Sequence, residues 1–514
     1  FVHQERAQGS AQAKAPSNAS QTSEAIVIWI VRDLLSAHIA TPVGAALALF
    51  CMLFFDQLIL LPLHYLRRAW SGPTMPSKEK LPSGLLVIPS LLRGIDELDA
   101  IKTTVANVLE NAYPGELHVV VSIDGYGDAP RLFVDLSAWV ANRKGDLPTD
   151  VHLHVTGTPS RRGKPLAIEH AFQYVKAIVA AGTLEEFPKI YFSTDADADL
   201  GMHALEHLAR RLCKRNFFTR NPGRAVAGNL HVRGNSFWRG IRHFFTVEGQ
   251  LSLQVAREYL VSNIARHNLR PMPISGITGV LYCTWTEILL EGPRYMGFMK
   301  TLNVRDWLGW WVGRSPPKFS ESKALPIPEL LAGDTDDTVG AFLAIASRWE
   351  NGRLTLDAPR TPLHALYYML RSIFVDRALR YEPEARVYTS SPSTVGSLWR
   401  QRMRWNAARI EVVGRFSASY RYHWDLGIAC VAAVGLMLKC LCFGVFSYVT
   451  APLAMAKGGL VLPLLLGVTI QVAFYALSTV MALLLDGAFR KNWRLLLALP
   501  CAVVYVPVYG FWAG

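Results

Sequence analysis

Residues 83–125 read SGLLVIPSLLRGIDELDAIKTTVANVLENAYPGELHVVVSIDG, and this stretch decides the fold class. Its ends, 83–90 (SGLLVIPS) and 116–124 (ELHVVVSID), are short β-branched runs bounded by turn residues, the pattern of buried strands. Between them, residues 95–112 have helical spacing, with Leu98, Ile101, Val105, Val108 and Leu109 on one face. Strand–helix–strand implies a parallel α/β sheet with a right-handed crossover. The second strand runs into Asp124-Gly125. Ligands of open α/β sheets sit beyond the carboxyl ends of strands, so a carboxylate there is placed to meet a nucleotide. Taken alone, the pair is more simply an Asp-Gly turn.

Downstream, residues 189–195 (KIYFSTD) predict another strand, and it runs into Asp195-Ala196-Asp197-Ala198-Asp199. Three alternating acids repel one another unless a cation joins them, and a hard divalent metal with oxygen ligands is the usual solution. A solvated acidic loop is the plainer alternative. Between these strands lies Arg161-Arg162-Gly163-Lys164-Pro165, a flexible basic turn suited to phosphate contact or, in isolation, a solvated charge run.

Composition bounds the class. The chain has 514 residues, of which 18% are charged and 51% hydrophobic, and its mean hydropathy is +0.20. Soluble domains average about 25% charged residues, so these values argue against a fully soluble enzyme and against a disordered protein. The net charge of +13 calls for an anionic partner. None of the seven cysteines forms a C-x-x-C pair, which excludes a disulfide framework and a zinc motif of that kind and leaves free thiols.

The apolar residues are concentrated at the two ends. Residues 1–24 read as a disordered tail without the apolar core of a signal peptide. The segment 25–70 is expected to hold an interfacial helix and a span at 41–66, and 421–514 three more spans at 425–452, 459–486 and 493–513. Arg67 and Arg68 after the first span, and Arg490, Lys491 and Arg494 between the last two, place residues 80–392 on the cytoplasmic side of the plasma (inner) membrane by the positive-inside rule. Asp56 and Lys439 are the charged residues deepest in these runs. At least one of them is expected to face a polar path or to partner the other.

Three further segments carry chemistry. Residues 273–282 (PISGITGVLY) contain Gly276 and Gly279 in an apolar run, which allows close backbone approach to a ligand. Gly333-Asp334-Thr335-Asp336-Asp337-Thr338 sets three acids before a helical stretch at 339–348. Helix N-termini favour acids, but three exceed that need and one suits a general base. Gln401-Arg402-Met403-Arg404-Trp405 lies in a basic amphipathic helix within 393–420, whose cations suit lipid headgroups.

In this order the segments resemble the processive family 2 glycosyltransferases: hyaluronan, chitin and cellulose synthases. The resemblance spans roughly residues 41–510 and rests on Asp124, Asp195-Ala196-Asp197, Asp336-Asp337 and Gln401-x-x-Arg404-Trp405. It implies a GT-A (Rossmann-like) α/β domain inserted between transmembrane helices. It also implies an inverting enzyme that polymerises a β-linked polysaccharide from a UDP-sugar and translocates it, leaning to the hyaluronan and chitin subgroup. Its partners would be the UDP-sugar, the growing polysaccharide and membrane lipids, with no nucleic acid; oligomeric state and accessory subunits stay open.

The same resemblance gives the residues roles. Asp124 would meet the uracil and ribose, Lys164 the phosphates or uridine, and Asp195 and Asp197 the sugar diphosphate, Asp197 through Mg²⁺ or Mn²⁺. Asp337 would be the base, with Asp334 and Asp336 leaving its register open. Arg404 would hold the diphosphate, and Gln401 and Trp405 the acceptor sugar, with Gly276 and Gly279 in an acceptor-side loop. Three departures stand out: Thr335-Asp336-Asp337 in place of Thr-Glu-Asp, a second D-x-D made by Asp199, and residues 287–327, which match no family segment. The alternative enzyme is a non-processive transferase acting on a lipid-linked acceptor. A transporter with a degenerate cytoplasmic domain is the reading outside catalysis, and the retained acids argue against it.

Overall fold

A computed structural model describes residues 79–233, 246–268, 280–314, 316, 336–350, 352–375, 378–415, 417 and 419–427, together with 476–477, 479–480, 482–484 and 493–498. The expectations for residues 1–70, for most of each proposed span, for Asp56 and Lys439, and for Gly276, Gly279 and Asp334 lie outside these residues. Among the described residues no helix is long and apolar enough to cross a membrane.

The opening stretch folds as its pattern predicts. Strand β1 (Gly84–Leu91), helix α1 (Ile95–Leu109) and strand β2 (Leu117–Asp124) form a crossover unit whose strands pair in parallel. There follow α2 (Pro130–Arg143), β3 (Val151–Thr158), α3 (Lys164–Ala180), β4 (Ile190–Thr194), β5 (Asp199–Leu200), α4 (Ala204–Cys213), β6 (Ala225–Val232) and α5 (Val247–Asn268). The chain continues with β7 (Leu281–Trp285), α6 (Thr286–Thr301), α7 (Val304–Trp311), α8 (Asp336–Ala346), β8 (Arg348–Glu350) and β9 (Arg353–Thr355). It then forms α9 (Pro362–Phe374), β10 (Leu379–Thr389) and α10 (Val395–Arg415).

The main sheet is an eight-stranded Rossmann-like one in the order β3-β2-β1-β4-β7-β6-β10-β5. It is mixed, not purely parallel: β7 runs antiparallel to both β4 and β6, while β6 and β10 are parallel. β2 is buried along its whole length and β1 over all but its last residue, because helices cover both faces. Alternate residues feed two cores. Leu86, Ile88, Val119 and Val121 pack with α1 and α4, whereas Leu85, Val87 and Val120 pack with α3, α6 and α8. The apolar stripe read on α1 is buried at Leu98, Ile101, Val105 and Val108.

Residues 287–311 belong to the second core. Asn303 and Asp306 form a reciprocal capping box that starts α7. Trp310 is fully buried, donates Nε1–H to the Pro359 carbonyl at 2.8 Å and meets Tyr422 edge to face at 5.2 Å. Trp310 thus fills space in the core, whereas Trp311 is exposed.

Cys213 and Cys283 are free thiols, as the cysteine spacing implies. Burial pushes the half-buried Cys213 thiol up to about 11 from its ordinary 9.0, which lowers its thiolate fraction at pH 8 by about a hundredfold. In the native protein at pH 8, Cys213 should therefore react with iodoacetamide about a hundred times more slowly than a free thiol. Mass spectrometry of timed aliquots tests this, and a free-thiol rate at Cys213 would contradict it.

Candidate active site

The carboxyl ends of β2, β3, β4, β6 and β10 each carry a polar group, and these groups converge on one edge of the sheet. Asp124 ends β2, opposite Thr158 at the end of β3. Its carboxylate is buried. Oδ1 accepts the Arg162 N–H at 2.8 Å and the Thr158 hydroxyl at 3.3 Å, and Oδ2 accepts the Gly163 N–H at 2.7 Å. Within the protein, Asp124 therefore anchors the basic turn. The Asp-Gly turn is also real: Gly125 has φ +78°, and a Cβ there would stand 3.0 Å from the Arg161 backbone nitrogen. Gly125→Ala forces a side chain into the left-handed region and against that turn. It should cost at least about 1–2 kcal/mol of stability, read by denaturant unfolding; an unchanged midpoint would contradict the anchoring geometry.

The anchored turn ends at Gly163, φ +101°, and α3 begins with Lys164. Lys164 Nζ lies 3.1 Å from Asp195 Oδ1. The acidic stretch is a tight turn closed by Ala198 N–H to the Asp195 carbonyl at 3.2 Å. Ala198 is buried, Asp195 half-buried and Asp197 exposed. The small apolar residues thus anchor the turn while the acids face outward.

Other elements hold the turn in place, and sequence reading passed over their residues. Thr104 of α1 donates its hydroxyl to the Ala196 carbonyl at 2.7 Å, Asn107 accepts the Leu200 N–H, and Asn111 donates to the Gly201 carbonyl at 2.9 Å. This polar stripe flanks the apolar face of α1. Arg233, just after β6, pairs with Asp199 at 2.6 Å and donates to the Asp197 carbonyl at 2.8 Å. Ser390, just after β10, donates its hydroxyl to Asp197 Oδ2 at 3.0 Å. Asp199 is thereby committed to Arg233, which leaves Asp195 and Asp197 as the outward D-x-D.

The residues fit a hard divalent cation. Two carboxylates, a hydroxyl and backbone carbonyls are all oxygen donors of the kind Mg²⁺ and Mn²⁺ prefer. Lys164 already neutralises part of Asp195, so Asp197 is the more available ligand.

Asp336 and Asp337 are the first two residues of α8, inside its first turn and not ahead of it. Gly340 lies against the Tyr282 ring, and Tyr282 pairs in register with Ser193, two residues before Asp195. At the far end, Arg224, preceding β6, donates to the Ile345 carbonyl at 3.2 Å. The N-terminus of α8, carrying Asp337, therefore points toward the edge that holds Asp195 and Asp197.

Helix α10 starts five residues after Ser390. Gln401 is half-buried, and its Oε1 has no hydrogen-bond partner among the described residues. Arg404 is exposed, and Trp405 packs partly against the first core. Arg402, read in the sequence as one of the cations facing lipid headgroups, is instead buried. It bonds Glu258 of α5 and covers one face of the Trp405 ring at 4.5 Å.

No protein-family model matches this chain, and no curated protein matches it. Among solved structures, it is similar to a mannosyltransferase from Pyrobaculum calidifontis in complex with GDP-Man and Mn²⁺. The identity is 17% and the TM-score 0.42, over 88% of this chain and 98% of that one.

Proposed function

We propose that this chain is an inverting glycosyltransferase with a GT-A fold that takes a sugar from UDP and adds it to a growing β-linked polysaccharide. The observation that carries this reading is the outward Asp195–Asp197 turn, with Lys164 on one side and Ser390, leading into the Gln401–Trp405 helix, on the other. The sheet order, with β7 antiparallel beside β4 and β5 antiparallel to β10, is consistent with that fold.

In this scheme the donor lies across the carboxyl edge, with its nucleoside toward Asp124 and the basic turn and its diphosphate toward Lys164 and Arg404. Mg²⁺ or Mn²⁺ held by Asp197 and Asp195 would stabilise charge on the leaving diphosphate. Asp337 takes the proton from the acceptor hydroxyl as its oxygen attacks the anomeric carbon opposite the diphosphate, which inverts that centre. Trp405 supports the acceptor sugar, and Gln401 offers it a carbonyl oxygen that is unpaired among the described residues. The amino-terminal and carboxy-terminal apolar segments would anchor the enzyme in the plasma membrane, with this domain cytoplasmic and the product exported.

Incubating the full-length protein with a panel of labelled UDP-sugars, and GDP-Man, tests the reading. A long polymer from at least one UDP-sugar is expected. Addition of a single sugar would identify the non-processive alternative, and no transfer from any donor would sink both.

A further inference from the structure

The opposite end of the sheet carries a different set of ligands. Glu116 immediately precedes β2, His118 is its second residue, and His118 pairs in register with His152 on the edge strand β3. Strand periodicity puts all three on one face, with His154 two residues farther along β3. The His118 and His152 rings stack at 4.7 Å with planes 19° apart. Nε2 of His118 and Nε2 of His152 each lie 3.2 Å from the same oxygen, Glu116 Oε1. His118 is 4% exposed, and its Nε2 finds no well-directed hydrogen bond among the described residues. The Glu116 and His152 side chains are each 40% exposed, so the group opens to solvent on one side.

Two nitrogens converging on one carboxylate oxygen is the spacing that a small cation imposes. Metal–nitrogen bonds of about 2.0–2.1 Å at near-tetrahedral angles separate neighbouring ligand atoms by roughly 3.3 Å. All three ligand atoms here lie within 4.8 Å of one another. We propose that Glu116, His118 and His152 form a binding site for a borderline divalent cation, Zn²⁺ foremost, with a fourth position open to water.

Imidazole pairs favour Zn²⁺, Co²⁺, Ni²⁺ and Cu²⁺ over Mg²⁺, in contrast to the all-oxygen set at Asp195 and Asp197. The two sites are also far apart: six residues of β2 separate His118 from Asp124, roughly 20 Å at strand rise. Burial, and then the neighbouring His152, push the His118 imidazole below its ordinary range. Burial, and then His118, push His154 down to about 4. His154 faces the Tyr174 hydroxyl at 3.2 Å and remains outside the ligand set. A bound ion would clip the edge strand β3 to β2, the same pair whose other end holds Thr158 against Asp124.

The test uses tag-free full-length protein, stripped of metal, titrated with Zn²⁺ against a chromophoric chelator, with Co²⁺ absorption as a spectroscopic signature. His152→Gln and Glu116→Gln are the informative variants, because both side chains are partly exposed and the fold should survive, as circular dichroism would verify. One equivalent of Zn²⁺ is expected, unaffected by millimolar Mg²⁺ or by Asp197→Asn, and weakened by at least about tenfold in both variants. Absence of stoichiometric Zn²⁺ binding, or undiminished affinity in either variant, would overturn the site.

Discussion

Asp337→Asn should leave the enzyme able to bind donor and unable to transfer sugar. The amide keeps the size and polarity of the side chain but cannot accept the proton of the acceptor hydroxyl. General base catalysis contributes typically 10²–10⁴-fold, so turnover should fall by at least about a hundredfold. Donor affinity should stay within a few-fold, because Asp337 is the second residue of α8 and the nucleoside lies toward Asp124 and the basic turn. Parallel measurements of turnover and UDP affinity separate these effects. Should Asp336→Asn or Asp334→Asn show that pattern instead, the base lies one or three residues earlier; equal loss of binding and transfer would argue for a donor-site role.

The second large effect concerns the outward acids. Asp197→Asn and Asp195→Asn should each abolish transfer and weaken donor binding together, unlike the change at Asp337. Asp197 is exposed and bonds only Ser390 through its carboxylate among the described residues, so its loss should change stability by no more than about 0.5 kcal/mol. Asp195 loses its ion pair with Lys164; the pair is partly exposed, so the stability cost stays below about 1 kcal/mol. Activity should require Mg²⁺ or Mn²⁺ and vanish in excess chelator. Full turnover in chelator, or an active Asp197→Asn, would remove the acidic turn from the mechanism.

The parts of this molecule legible in the sequence are those with a local cause. β1, α1 and β2 announce themselves because two buried β-branched runs flank a stretch with helical spacing. The acidic turn is legible because its strand is buried and its acids alternate with alanine. What joins the site is not local. Arg233 and Ser390 reach Asp197 from 36 and 193 residues away, and nothing in either neighbourhood marks them. The stripe Thr104, Asn107 and Asn111 had a signal, polar residues at helical spacing beside an apolar face, but its meaning depends on what packs there. β7 was hidden because LYCTW continues an apolar glycine-containing run and has no alternation of its own. Asp124 follows the plainer reading of its pair: it leads into a turn at Gly125, and its carboxylate holds the loop that leads to Lys164.

The central claim is that the carboxyl edge of the sheet is a nucleotide-sugar site. A cryo-electron microscopy map of the full-length protein with UDP and Mn²⁺ tests it most directly. The account predicts the diphosphate between Lys164 and Asp197, the metal on Asp197, and the uridine against Asp124 and residues 161–163. UDP bound elsewhere, or an empty carboxyl edge at saturating UDP and Mn²⁺, would contradict it.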